Sequence, residues 1–376
     1  VVSIPLTSEP RLISHPEREA DVEERRFRPV TFWAPIGVAF VLLEAYVLVA
    51  WVAKGQFKPT PPGPTPVPTY MKVVAAGWQW GGLAAFAAFV WFVMIRPWRR
   101  ERRITLDGLF CIVFFLIYWQ DPISNYFQTW FTYNSYFANF GSWASNLPGF
   151  VAPHGNRLAE PYLWDWPIYV YLAFGFTLIA CAVMRHAKAR WPRMGKFGLV
   201  AICFAFCFGV DVVLEPLLML LGIYSYPGSI PWLTIFHGHY YQYPVTEGIF
   251  WGGAWCAWAC IRYFKDDKGR TLVERGVDDL RVSDKKRTVL RFLALVAVCN
   301  LIFAGYNLGS AVLGMMGGAW PKDVTSRSYF TDGLCGPGTQ YACGGPAVPI
   351  PRGNSAHVDP QGNLVGGKSS SPTGAG

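Results

Sequence analysis

The stretch FGLVAICFAFCFGVDVVLEPLLMLLG, residues 197–222, decides the fold. Its only charges are Asp211 and Glu215. About 20 apolar residues suffice for a helix to cross the hydrocarbon core of a bilayer, so this segment reads as a membrane span. Working outward, six further apolar runs have comparable length: 31–53, 71–95, 104–120, 166–184, 244–263 and 290–317. The expected fold is therefore all-α, a polytopic membrane bundle of seven transmembrane helices.

Charge placement gives the expected orientation. Of the 33 Lys and Arg residues, 25 fall in alternate segments: 1–29, 96–103, 185–196 and 262–291. The other eight are spread over all the remaining loops and the tail. Basic loops stay on the cytoplasmic side, which predicts a cytoplasmic N-terminus, an outside C-terminus and a multi-pass protein of the cell membrane. The polar residues 1–29 read as a cytoplasmic segment with no secretory signal, and the run after Arg28 as an uncleaved first helix. The membrane domain covers 30–318, and residues 319–376 form a Gly/Pro-rich tail expected to be extended. The charged loop Asp266 to Arg291 is expected to be helical.

Composition excludes several classes. Apolar residues make up 52% of the 376, and charged residues 15%. Soluble domains carry about 25% charge, so a soluble enzyme and a disordered chain are both disfavoured. The net charge of +9 has its explanation in topology, and no soluble basic module points to nucleic acid. Six histidines, only one close pair among them, are too few for the histidine boxes of membrane desaturases. No Lys lies between Arg291 and Lys322, so a retinal Schiff base is unavailable in the last span. Motifs for haem attachment, nucleotide phosphates or dinucleotides are absent, and no cofactor or metal is expected.

The segments on the expected outer side are unusual. Residues 58–68, KPTPPGPTPVP, should form an extended polyproline strap. Residues 121–165 form a cap, and twelve aromatics lie between Tyr118 and Phe150. Cys335 and Cys343 lie in CGPGTQYAC in the tail, where an oxidising exterior favours a disulfide. The other seven cysteines lie in the apolar runs and read as small hydrophobes.

Ionisable groups at membrane depth are costly and are functional candidates by default. Asp211 and Glu215 stand one helical turn apart on one face, beside Pro216, which should kink the helix. Such a pair suits one protonated and one ionised carboxyl, an acid and a base. Glu247, His237 and His239 are candidate catalytic assistants, since histidine shuttles protons near neutral pH. Glu44, Asp121, Asn125 and Tyr241 are candidate substrate-binding residues. Asp165, in DWP, reads as a helix cap with Pro in the first turn, and Asp107 as a cap at the other side. Asn300 and Asn307 read as helix-to-helix glue.

The seven-span layout, the segment YWQDPISNYFQTWFTYNSYFANFGSW (118–143), the turn DVVLEP (211–216) and the CGPG…CGG tail (335–345) together resemble the AveC-like spirocyclases, actinobacterial membrane proteins. The likeness is expected over about residues 30–350 and carries over no assigned catalytic residue. It implies spiroketal formation and dehydration of a polyketide-like substrate. The expected activity is a cofactor-independent cyclase or dehydratase acting on a lipophilic hydroxy-ketone or lipid by carboxylate acid–base catalysis. The rival reading is a non-catalytic subunit or lipid-binding scaffold of a cell-envelope complex, docking membrane-protein partners through the cap and tail. Membrane lipids are expected partners in either case.

Overall fold

The computed structural model describes residues 27–352 and 355–366. Most of the expected cytoplasmic segment 1–29, including Arg11, Arg18, Arg25 and Arg26, lies outside the described residues, as does the tail beyond 366. Seven long helical elements follow in order: α1 (Pro29–Ala53), α2 (Thr69–Val90), α3 (Leu106–Leu116), α4 (Phe174–Arg190), α5 (Lys196–Leu220), α6 (Val245–Tyr263) and α7 (Asp284–Gly314). Three are extended by irregular turns. A π turn, Trp91–Ile95, and a short helix carry α2 to Glu101, while a 3₁₀ segment, Ile117–Asn125, prolongs α3. Asp165–Ile168 and a π turn, Tyr169–Ala173, lead into α4.

Six of these elements, all except α6, are long and apolar enough to cross a membrane. The chain is thus an integral-membrane protein by length and composition. The segment expected at 244–263 is helical, but Glu247, Arg262 and several Gly and Trp lower its hydropathy. Its interior position explains the tolerance: Trp255, Trp258 and Ala259 are buried. Lipid-facing surface is plain elsewhere. Leu42, Val49, Val73, Phe197 and Val213 are all exposed, which suits a hydrocarbon solvent and not water.

Close approach of small residues builds the bundle. α1 lies on α7 where Gly37 meets the Leu293 carbonyl, and α6 lies on α5 where Gly252 meets the Phe208 backbone. Asn300 of α7 does act as glue: its Oδ1 accepts from Trp119 Nε1 at 2.9 Å and Gln120 Nε2 at 2.6 Å. Asn307 instead donates to the Phe303 carbonyl of its own helix.

The basic loops gather at one end. Val30 N donates to Arg275 O, and Arg262 pairs with Asp107 at 2.7 Å, so Asp107 serves an ion pair and not the cap; Thr105 caps α3. Residues 266–283 are turns and not the expected helix. Arg270–Asp278 and Arg291–Glu274 pairs hold this loop while Val273 and Val277 tie it into the main core of the bundle, which a free-standing charged helix would not do.

Strap, cap and tail assemble at the other end. Asn139 of the cap exchanges two hydrogen bonds with Thr60 of the strap. Ser328 Oγ of the tail donates to Pro62 O and accepts from Thr65 N. Two-residue strands join the cap to the loop before α6 (Thr132–Tyr133 with Tyr224–Ser225). The tail is therefore not extended where it follows the membrane domain: Val324, Tyr329 and Phe330 are fully buried against the loop and strap. Composition hid this because three apolar side chains anchored among many Gly and Pro produce no periodicity. Helix α5 continues through Pro216 to Leu220.

Cys335 and Cys343 are joined. A loop of this length stabilises by about 2–3 kcal/mol through chain entropy. Reduction should therefore speed hydrogen exchange at the Gly336 amide, which donates to Tyr341 O inside the loop at 2.8 Å. Exchange unchanged by reductant would refute that role.

Candidate functional site

Beneath the cap, a cavity of about 80 Å3 opens between the turns that lead into α4, helices α5, α6 and α7, and the 3₁₀ end of α3. Pockets for drug-sized ligands measure about 300–1,000 Å3, so a lipophilic substrate of that size needs these walls to move apart. Trp164, Trp251, Trp255, Leu172 and Leu218 supply apolar wall. The polar wall consists of carboxyls, Ser124 and phenols, and no Lys, Arg or His lines it.

Two carboxyl–tyrosine groups meet this cavity. In the first, Asp121, Glu160 and Asp165 each offer an oxygen within 4.8 Å of the others. Tyr133 Oη lies 2.7 Å from Asp165 Oδ2 and 3.1 Å from Asp121 Oδ2, and Tyr169 donates to Asp121 Oδ1. The π turn of Tyr169–Ala173 supplies three of the wall residues, and π turns recur where a helix must re-aim side chains at a site. In the second group, Tyr226 Oη lies 2.9 Å from Glu215 Oε2 and 3.0 Å from Glu247 Oε1. Tyr306 also donates to Glu247. A phenol has one proton and can donate to only one of two carboxyls, so each bridge is completed by a proton on the other. Protons can thus be held and passed at both walls.

Several expected candidates lie here and others do not. Asp121 and Glu215 line the cavity. Asp211 and Glu247 are fully buried behind the wall, and Asp211 accepts from Tyr243 at 2.7 Å. The expected acid–base pair thus splits, because a full helical turn separates Glu215 at the wall from Asp211 in the packing. His237 and His239 are exposed on the loop before α6, away from the cavity wall; His239 stacks on Tyr241 and lies 4.0 Å from Asp323. Tyr241 belongs with that loop and not with the cavity. Glu44 is buried on α1 but does not line the cavity. Asn125 Oδ1 accepts from the Trp130 and Phe131 amides, which turns the chain into the cap.

Asp165, Glu160 and the bridging tyrosines were missed. Asp165 begins its helix but makes no capping bond; Tyr133 holds it in the cluster. Glu160 is the one acid between Asp121 and Asp165, alone in an aromatic segment, and that isolation was the available signal. Among the described residues, Asp121, Glu160 and Asp165 are also the grouping that could hold a metal ion. An all-oxygen set would suit a hard cation such as Mg²⁺, Ca²⁺ or Mn²⁺.

Glu160 lies in the cap, outside the spans. Burial, then the adjacent Asp121 carboxyl, hold its own carboxyl well above the usual range. A group whose folded value is raised stabilises fully below its unfolded value, ~4.3, and that contribution is lost as pH rises through the folded value. The melting temperature should therefore fall as pH is raised from about 5 to 9, and Glu160→Gln should flatten the profile. Parallel wild-type and variant profiles would exclude Glu160 as the source.

Residues 101–330 match the family model described as spirocyclase, AveC-like. The chain belongs to the AveC-like spirocyclase family. All residues lining the cavity lie inside the AveC-like span, whereas α1, the strap and the disulfide loop lie outside it. No curated protein and no solved structure matches the chain. AveC-like membership points to cyclase- or dehydratase-type chemistry.

Proposed function

We propose that this AveC-like protein is a cell-membrane cyclase that closes a spiroketal, with loss of water, on a lipophilic hydroxy-ketone or polyketide-like lipid. One observation carries the reading: two separate carboxyl–tyrosine groups face a single aromatic cavity that no basic side chain lines. Acid-catalysed ketal closure needs two proton transfers. A carboxyl protonates the hydroxyl of a hemiketal; its C–O bond breaks, water leaves and an oxocarbenium ion remains. A second substrate hydroxyl then attacks that carbon, and a carboxylate accepts its proton. Atoms balance with no redox partner.

Glu215, bridged to Glu247, and Asp121 with Asp165 are the groups placed to serve as acid and base. Trp251 and Trp255 at the wall are the aromatic groups that would stabilise the cation. The orientation expected from the basic loops puts the cavity toward the outer leaflet, within reach of lipid-dissolved substrate.

Comparative metabolite mass spectrometry on a deletion strain tests the reading. A precursor one water heavier than the missing product should accumulate, and wild type should restore the product. No metabolite change would turn the assignment to the scaffold reading. One feature favours that rival: Trp232 and Phe236 are exposed on the loop before α6, a surface suited to a membrane-protein partner.

A further inference from the structure

At the opposite end of the bundle, a cleft of about 760 Å3 lies between the extension of α2, α3, α4, the end of α6 and the start of α7. Arg103, Arg185, Arg262, Lys265, Lys268, Arg270 and Arg291 line it, together with Glu101 and Asp107. A positive-inside bias places basic residues in loops, but it does not require them to converge on one cleft.

Three of the guanidiniums are held in place by carboxylates, Asp107 within the cleft and Asp278 and Glu274 outside its lining. Arg262 forks onto Asp107 through Nε and one terminal nitrogen. Arg270 forks likewise onto Asp278. Arg291 Nε donates at 2.7 Å to Glu274, a carboxylate with no exposure. Each of these arginines keeps further N–H donors that its carboxylate does not use. Arg185 and Lys265 are exposed, and among the described residues neither has an ion-pair partner. A fixed guanidinium array with two free cations is pre-organised for phosphate oxygens.

The remaining wall is apolar and faces outward. Phe92, an exposed side chain of the π turn in α2, lines the cleft beside Val93 and Leu178. A soluble phosphate has no use for that wall, whereas a lipid has acyl chains to lay on it. We infer that the cleft binds an anionic phospholipid, with its phosphate on the arginine array and its chains against Phe92 and Leu178. Basic pockets between helices on the cytoplasmic side recognise such headgroups.

The test uses the full chain purified in neutral detergent. Phosphatidylglycerol or phosphatidylcholine is titrated in, and retained lipid is read by native mass spectrometry. Phosphatidylglycerol should be retained at least tenfold more strongly. The double variant Arg185→Gln, Lys265→Gln should weaken it about thirtyfold, since two cations near the headgroup are lost. Both side chains are exposed, so an unchanged melting temperature is expected and checks the fold. Equal retention of the two lipids, or wild-type retention by the double variant, would overturn the assignment. Glycerol phosphate alone competing at the lipid's own concentration would overturn it too, because the apolar wall would then contribute nothing.

Discussion

Glu215→Gln should reduce turnover by ~10²–10⁴-fold, the usual contribution of a positioned general acid or base. The substitution keeps the side-chain shape, and the amide oxygen still accepts from Tyr226, which lies 2.9 Å away. What it removes is the exchangeable proton at the cavity wall. Asp121→Asn should act on a similar scale, because Asp121 also lines the cavity within its own tyrosine pair. Asp211→Asn should cost far less: Asp211 is fully buried, bound to Tyr243 and absent from the wall. This graded order separates catalysis from mere stability, which would rank the fully buried Asp211 at least as high. A Glu215→Gln protein that folds and retains full product formation would defeat the assignment of Glu215 as a proton-transfer group.

The largest stability effect is expected from a substitution that usually helps helices. Replacing a helical Gly by Ala ordinarily gains up to about 1 kcal/mol. At Gly37 the added Cβ would sit 1.9 Å from the Leu293 carbonyl oxygen and 2.7 Å from its carbon. Both are backbone atoms of α7, so no rotamer change makes room, and the two helices must separate. Overpacking of this kind costs about 1–3 kcal/mol or more. Gly209 and Gly305 provide the control, since a Cβ there meets nothing within 4 Å. In detergent, Gly37→Ala should lower the melting temperature while Gly209→Ala and Gly305→Ala leave it equal or higher. Equal behaviour at all three positions would show that the α1–α7 contact does not limit stability.

The helices were legible because hydropathy reports directly on the lipid they meet. Their ends were less so. Arg185 to Arg190 and Asp284 to Thr288 are helical although charged, since backbone hydrogen bonding continues past the apolar stretch. α6 was found by length and apolarity even though its hydropathy is low, because its polar and small residues face other helices.

The site was half legible. Depth singled out Glu215 and Asp121, because a carboxyl in an apolar run needs a reason. Depth could not say that Glu215 faces a cavity while Asp211, four residues earlier, faces packing; that depends on the order of helices around the bundle. Nor could it find Tyr133 and Tyr226, which come from the cap and the loop before α6 and meet the carboxyls through chain reversals. An aromatic-rich segment contains many tyrosines, and only the fold distinguishes those with a carboxyl partner. His237 and His239 drew attention through residue type alone, and their loop turns them outward.

The pairing of α1 with α7 sets a schedule for biogenesis. α1 ends at Ala53 and its partner begins at Asp284. At about 5–20 residues per second, synthesis of the intervening chain takes about 10–50 s. Throughout that interval the Gly37 face must be shielded by lipid or by the insertion machinery, and the strap, which waits for Ser328, stays open even longer. The cavity wall is completed only when Tyr306 of α7 arrives, whereas a chain interrupted before the tail would be inserted with its strap still unfastened.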